Sequence, residues 1–166
     1  MRTGAKGVAL IKRKEEFRAR AYVCPAGKLT IGYGHVLAAN EGHLKGAVLT
    51  EAQASALLLR YLERYERAVS QAVRVPLSQA QFDALVCLCY NIGAAGFAGS
   101  GLVKCLNAKA TADDVRRHWV AWNKMDGTRN RRDDDGDGLV DEPGEKQVAP
   151  GLVARRAEES DLYFRG

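Results

Sequence analysis

The sequence predicts a mainly helical α+β fold, with a small N-terminal lobe built around a short β-sheet and a larger helical lobe. A Gly-rich segment with a two-residue alternation runs through His35, whereas from Thr50 onward apolar residues recur at helical spacing. The 166 residues, 46% hydrophobic and 27% charged, suit one domain with its own core. We expect a single domain over residues 1–166, with the small lobe over about 1–48 and the helical lobe over about 49–166.

Five helices are predicted from start signals and periodic apolar faces. In chain order they begin near Gly4, Thr50, Ser78, Thr111 and Gly151. Thr50 and Ser78 are each followed three residues later by Gln, which is the capping-box pattern that satisfies free N–H groups at a helix start. The first helix is predicted to end at about Arg18, and Gly93 to end the third.

The small sheet is predicted from a turn and an alternating strand. In the stretch Cys24-Pro25-Ala26-Gly27, Pro stands second and Gly fourth, as in a type I turn that reverses the chain between two strands. The return strand would point Leu29, Ile31 and Tyr33 to one side and Thr30, Gly32 and Gly34 to the other. The second face would be nearly bare and open to a flat polymer; the alternative is a glycine-rich bend that only helps the sheet to twist.

The charge is unevenly distributed. The chain carries 25 basic and 20 acidic groups, a formal net charge of +5, and seven of the acids lie between Asp133 and Glu145. The rest of the chain has 25 basic and 13 acidic groups, or +12. Such a body favours nucleic acid, an anionic membrane surface or an acidic wall polymer. No aromatic and basic readout motif accompanies the charge, so nucleic-acid binding is not expected.

The apolar runs and the cysteines indicate neither a membrane anchor nor a disulfide framework. Lys, Arg or Gly interrupts each apolar run well before the about 18 residues that a transmembrane helix needs, so no such helix is expected. The first fifteen residues lack the apolar core of a signal peptide, so no signal peptide is expected either. The cysteines fit neither close metal-ligand spacing nor a dense set of disulfides, and free thiols are expected. They are Cys24, Cys87, Cys89 and Cys105.

Glu15 differs from its acidic neighbour in the first helix. At 100° per residue it falls inside the apolar stripe of Val8 and Ile11, whereas Glu16 falls beside Lys12 as an exposed i,i+4 partner. Partial desolvation would raise the pKa of the Glu15 carboxyl, as a general acid working near neutral pH requires. The alternative is that Glu15 only marks the edge of the stripe or pairs with an arginine.

Three groups of motifs carry a family resemblance. They are Glu15-Glu16-Phe17 through Thr30-Ile31-Gly32-Tyr33-Gly34-His35, then Pro76-Leu77-Ser78 through Leu85 with Tyr90-Asn91-x-Gly93, and finally Gly151-Leu152-x-x-Arg155-Arg156-x-x-Glu159. Together they resemble the phage-type lysozymes of glycoside hydrolase family 24, the endolysins. That family carries Glu, eight residues, Asp or Cys, five residues and Thr, and Glu15, Cys24 and Thr30 stand at this spacing. The resemblance covers most of the chain except about residues 128–148.

The resemblance implies a lysozyme-like fold with a cleft between the lobes, and hydrolysis of the β-1,4 bond between N-acetylmuramic acid and N-acetylglucosamine of peptidoglycan. Glu15 would donate the proton to the leaving oxygen, and Cys24 and Thr30 would help to hold the attacking water. We expect the nearby Gly32, Tyr33 and His35 to bind the substrate.

The chain departs from the generic two-carboxylate scheme, because Cys24 stands where a second acid would be. A thiolate of lowered pKa could act as a base or by its charge, and the thiol could act as a nucleophile. Inverting and retaining chemistry both stay open. Arg155 or Arg156 could reach Glu15 and oppose its desolvation, or both could face solvent.

The acidic insertion at about residues 128–148 matches an EF-hand calcium loop. Places 1, 3, 5, 6 and 9 of such a loop hold Asp133, Asp135, Asp137, Gly138 and Asp141, and Leu139 would supply a carbonyl at place 7. Gly144 stands at place 12, so Glu145 or Glu142 would have to complete the site. We expect a structural Ca²⁺, with Mg²⁺ less suited to an all-protein cage, and no cofactor for the chemistry. A solvated acidic loop is the alternative.

The expected biology follows from the resemblance. A monomer would be made in the infected host's cytoplasm, pass a holin-type pore and act on peptidoglycan from the periplasm. A competing function from another class is a wall-binding or calcium-controlled module, in which Cys24 marks lost catalysis.

Overall fold

The first helix, α1 (Ala5–Glu15), is capped at its start by a side chain from another element. In this computed structural model, which describes residues 1–24, 27–126 and 146–166, Asp83 accepts hydrogen bonds from the N–H groups of Gly4 at 2.8 Å and Gly7 at 3.2 Å. The helix ends because Glu16 takes a positive φ of 54°. It therefore stops three residues before the predicted end at Arg18, which already begins a strand.

The small lobe contains a three-stranded antiparallel sheet in the order β1 (Arg18–Val23), β2 (Leu29–Gly32) and β3 (His35–Val36). The predicted chain reversal is present, because the N–H of Gly27 donates to the carbonyl of Cys24 at 2.8 Å. A 3-10 helix (Ala39–Leu44) follows the sheet.

The predicted return strand is shorter than the alternation indicated, and its bare face is covered. Strand β2 ends at Gly32, so Tyr33 and Gly34 form the tight connection to β3. A Cβ atom built at Gly32 would stand 3.3 Å from the Cβ of Ala54 in the next helix. Gly32 therefore faces the protein's own chain, which leaves no room for a polymer on that side.

The helical lobe is built on two long helices with the predicted capping boxes. They are α2 (Glu51–Ala72), opened by Thr50 and Gln53, and α3 (Gln79–Ile92), opened by Ser78 and Gln81. Helix α3 is the centre of the core: all nine residues from Phe82 to Tyr90 are buried, and it packs against α1, α2 and later helices. A helix that is apolar all round is expected in such a position.

Two short helices, α4 (Ala94–Gly99) and α5 (Gly101–Asn107), were not predicted, because six or seven residues are too few for a clear apolar period. The remaining helices, α6 (Ala112–Val120) and α7 (Pro150–Arg165), match the predictions from Thr111 and Gly151. Within the described residues, no helix combines the length and apolar character that crossing a bilayer requires.

The acidic insertion leaves and re-enters the fold through a two-stranded ribbon. Strand β4 (Lys124–Asp126) pairs antiparallel with β5 (Lys146–Val148), and Asp126 lies opposite Lys146. The predicted calcium ligands fall between these strands and lie outside the described residues. They are Asp133, Asp135, Asp137, Leu139, Asp141 and Glu145. In the part of the chain that the structure describes, no three His, Cys, Asp or Glu side chains are grouped to hold a metal ion.

Candidate active site

Glu15 lies at the C-terminal end of α1 with a half-buried side chain that forms an ion pair. Its Oε1 atom is 2.8 Å from Nη1 of Arg155 in α7, and 20% of the Glu15 side chain is exposed against 9% of Arg155. The prediction that an arginine reaches Glu15 is confirmed, and the arginine is Arg155. Arg156 is buried and bonds instead to Glu159 and Asn91, so the alternative that both arginines face solvent is wrong.

The ion pair acts against the desolvation predicted from Val8 and Ile11. A neighbouring cation stabilises the charged form of a carboxyl, whereas burial stabilises the neutral form. Burial alone would lower the pKa of Arg155, but the charges of Glu15 and Glu159 outweigh it, so that the pKa of Arg155 is raised. Arg155 is therefore a permanent cation beside Glu15.

The neighbouring Glu16 behaves as an exposed residue, as predicted, but with a different partner. Its carboxylate lies 3.5 Å from Arg18, while the ammonium of Lys12 sits 5.2 Å from the centre of the Tyr33 ring. The helix ends before Glu16 can align with Lys12, and this explains the change of partner.

The connection between β2 and β3 approaches the second oxygen of Glu15. Gly34 has a positive φ of 77°, and a Cβ atom there would lie 3.0 Å from Oε2 of Glu15 and 3.2 Å from the hydroxyl of Tyr90. The Tyr90 hydroxyl donates to the carbonyl of Tyr33 at 2.5 Å. Burial raises the pKa of Tyr90, and the charge of Glu15 raises it further, so the phenol stays neutral. Sequence reasoning gave Tyr90 no role, although it lies in a family motif.

Cys24 and Thr30 are brought together by the turn between β1 and β2. The carbonyl of Lys28 accepts a hydrogen bond from the N–H of Cys24 at 2.9 Å and another from the Thr30 hydroxyl at 3.1 Å. Thr30 is buried, and Cys24 is a half-buried free cysteine. The same carbonyl thus fixes both residues on one end of the sheet.

Tyr22 lies at the same end of the sheet as Thr30. It lies opposite Thr30 in the β1–β2 pairing. Partial burial raises the pKa of Tyr22, and the negative charges of Glu15 and of an ionised Cys24 raise it further.

The three residues expected to bind substrate are engaged within the protein. Gly32 faces α2, as described above. Tyr33 is 4% exposed, and its hydroxyl donates to Glu51 at 2.8 Å. His35 is 6% exposed, with Nε2 2.7 Å from Glu41 and its ring edge-on to Tyr61. Their contacts fix the β2–β3 connection that carries Gly34 to Glu15.

Comparison with known proteins gives one consistent result. A model of the Phage lysozyme family matches residues 12–159. The endolysin of Acyrthosiphon pisum secondary endosymbiont phage 1 is 33% identical over 163 residues, 98% of each chain, and that of Salmonella phage P22 is 40% identical over 128 residues, 75% of this chain and 85% of the other.

Solved structures agree with this. The muramidase domain of SpmX from Asticaccaulis excentricus has a TM-score of 0.82 and 32% identity, and covers 99% of both chains. The endolysin of an Escherichia coli phage, FAHEc1, has a TM-score of 0.78 and 32% identity, over 99% of this chain and 94% of the other.

The fold and the site define a lysozyme-like protein of the endolysin class, and the predicted fold class is confirmed. The chain belongs to the phage lysozyme family, whose members are glycoside hydrolases.

Proposed function

We propose that this protein is an endolysin that hydrolyses the β-1,4 bond between N-acetylmuramic acid and N-acetylglucosamine in peptidoglycan, with Glu15 as the general acid. The observation that carries the proposal is the setting of Glu15, which is half-buried at a helix end between Arg155 and the backbone of Gly34. The names of the relatives, endolysins and a muramidase domain, support it.

The two oxygens of Glu15 would have different tasks. Oε1 accepts a hydrogen bond from Arg155, which leaves Oε2, on the side of Gly34, as the oxygen that carries the proton. In the reaction this proton would pass to the glycosidic oxygen as the bond to the sugar breaks. Glu15 would then be a carboxylate, and the adjacent guanidinium would stabilise that charge.

Cys24 and Thr30 would serve the other half of the reaction. The chain has no second carboxylate at this place, and the carbonyl of Lys28 accepts hydrogen bonds from both the N–H of Cys24 and the hydroxyl of Thr30. A thiolate at Cys24 could activate the water or stabilise positive charge on the sugar, and the Thr30 hydroxyl could help to hold that water.

In the cell, the enzyme would act on the peptidoglycan of an infected host as a monomer and cause lysis after reaching the wall through a holin-type pore. The basic surface outside the insertion, +12 in formal charge, suits an anionic wall polymer or membrane phosphate.

The acidic insertion would bind a structural calcium ion. Seven acids within thirteen residues repel one another unless a cation neutralises them, and their spacing follows an EF-hand loop. The β4–β5 ribbon holds the two ends of the insertion together, and β5 leads directly into α7. A bound ion would therefore help to hold β4 and β5 together beside α7, the helix that carries Arg155. It would also stabilise the folded state by mass action.

Product analysis tests the proposed bond. Purified peptidoglycan is digested, and the new ends are reduced with borohydride and identified by mass spectrometry. Reduced N-acetylmuramic acid ends are expected. Reduced N-acetylglucosamine ends, new free amino groups, or intact binding to walls without any product would each contradict the proposal, the last in favour of a wall-binding module.

A further inference from the structure

Four charged side chains form a row between α1 and α7. Arg155 contacts Glu15 through Nη1 and Glu159 through Nε, the latter at 3.1 Å, and Glu159 also accepts from Nη2 of Arg156 at 3.0 Å. The row ends at Asn91 of α3, whose Oδ1 accepts from Arg156 at 2.8 Å. Glu159 and Arg156 are wholly buried, whereas Glu15 at the outer end is half-buried.

We propose that Glu159 is a positioning residue for the proton donor: its carboxylate fixes the Nε edge of Arg155 and balances the two guanidiniums, so that Glu15 meets a partly neutralised cation in a fixed orientation. The inference rests on the proposed role of Glu15 as the general acid. It concerns a residue that does not touch the reacting sugar.

Glu159 fits the row as a carboxylate. Its Oε1 accepts hydrogen bonds from both arginines, and its Oε2 accepts one from the indole N–H of Trp119 at 3.3 Å. These three partners are donors only, so the structure offers no acceptor for a proton on Glu159. Burial raises the pKa of Glu159, and the two guanidiniums and the indole oppose that effect.

Three titratable groups outside the row, Cys87, Tyr90 and Tyr22, stay neutral, and a fourth, Asp83, is already paired. Burial raises the pKa of the Cys87 thiol in α3, and Glu159 raises it further. The phenols of Tyr90 and Tyr22 also have raised pKa values through burial. Asp83 of α3 accepts hydrogen bonds from backbone N–H groups at the start of α1. Among these described groups, the charge balance of the row depends on its two glutamates and two arginines.

The balance has a direct consequence for Glu15. When Glu15 and Glu159 are both ionised, the row contains two cations and two anions. Without the charge of Glu159, Glu15 would be the one carboxylate in a row with two buried guanidiniums, and the positive charge of both would favour its ionised form. If Glu15 loses its proton too easily, its protonated form is scarce at the working pH. The rate would then fall in the alkaline limb of the pH–rate profile.

Arg155 also depends on Glu159 for its orientation. A guanidinium presents fixed, planar donors, and here the Nε edge and Nη1 serve two different carboxylates. If the Nε edge is released, Nη1 is no longer aimed at Oε1 of Glu15. A displacement of about 1 Å at a reacting group can cost about a hundredfold in rate.

The test compares Glu159→Gln with Glu158→Gln, a matched control on the same helix. Glu158 is paired instead with Arg13 and Lys14 of α1, at the surface between the two helices. In Glu159→Gln the alkaline limb of the rate on cell walls should move to lower pH by about one unit, so that the rate above it falls about tenfold, while apparent KM is unchanged. In Glu158→Gln the limb should stay in place.

Two further measurements keep the outcomes separate. The titration of the Glu15 carboxyl, followed by carbon NMR in selectively labelled protein, should move to lower pH in Glu159→Gln. If the Glu15 titration moves and the alkaline limb of the lysis rate does not, Glu15 is not the general acid, but Glu159 still controls the charge and orientation at Glu15. If a folded Glu159→Gln protein titrates at Glu15 like the wild type, the positioning role is overturned. If Glu159→Gln fails to fold, Glu159→Asp replaces it in the test. This variant should keep the wild-type titration of Glu15 and lyse walls more slowly. Lysis at the wild-type rate would overturn the proposal.

Discussion

Gly34 lies directly against the carboxyl of Glu15: a methyl group on Gly34 would stand 3.0 Å from Oε2. The contact joins the tip of the small sheet to the end of α1, and the bond from Tyr90 to the Tyr33 carbonyl holds the tip in place. The backbone of the small lobe thus forms one wall around the proposed proton donor.

Gly34→Ala should therefore damage activity more than stability. The positive φ at Gly34 alone costs an alanine about 1 kcal/mol. The added methyl group would also displace Oε2, and we expect wall lysis to fall about a hundredfold. The matched control is Gly93→Ala, which has a similar φ of 83° and no neighbouring atom within 4 Å of the new Cβ. Equal activity in the two variants would show that the contact with Glu15 is unimportant.

Tyr90→Phe removes the hydroxyl that holds the Tyr33 carbonyl. Leaving a buried acceptor without its donor costs about 1–3 kcal/mol, so the melting temperature should fall by several degrees. Because the β2–β3 connection would loosen beside Glu15, kcat should fall as well. Tyr163→Phe, on a tyrosine that packs on Trp119, serves as the control. A Tyr90→Phe enzyme with the wild-type rate would contradict the proposed hold on the connection.

Cys24 is tested by a series of three variants. Cys24→Asp restores the generic second carboxylate and should keep substantial activity, whereas Cys24→Ala and Cys24→Ser should lose most of it. Turbidity loss of a wall suspension measures all three rates, and melting curves verify that each variant is folded. Three equal rates would show that position 24 takes no part in the chemistry.

Calcium removal should lower stability and leave the chemistry in place. EGTA added to calcium-loaded protein should lower the melting temperature, because an ion that binds the folded state stabilises it by mass action. Replacing Asp133 and Asp135 by Asn should abolish this response, and wall lysis well below the melting temperature should continue. An unchanged melting curve after EGTA would count against a structural calcium ion.

Much of the fold could be predicted from local signals. The capping boxes at Thr50 and Ser78 lie within four residues of sequence, and each opens the helix predicted for it. The spacing of Glu15, Cys24 and Thr30, together with the later motifs, resembles that of the phage lysozyme family, to which the chain belongs. The end of α1 was misplaced because Glu16 ends the helix by taking a positive φ, and no Gly, Asn or Pro in the sequence marks that point.

The contacts that shape the site come from distant parts of the chain. Asp83 caps α1 from α3, Tyr90 holds Tyr33, and Arg155 reaches Glu15 from the last helix. No helical or strand period encodes such pairs. The motifs around Tyr90 and Glu159 could have directed attention to these residues, but only the packed structure shows what each one touches.

The most direct test of the account is the rate of wall lysis by Glu15→Gln. The amide keeps the size of the side chain and an oxygen for Arg155, so the fold should survive, but it cannot donate the proton that a general acid supplies. We expect at least a hundredfold loss of turbidity clearance with a melting temperature close to the wild type, while Glu16→Gln, at the exposed neighbouring position, remains fully active. A folded Glu15→Gln protein that clears walls at the wild-type rate would contradict the central claim.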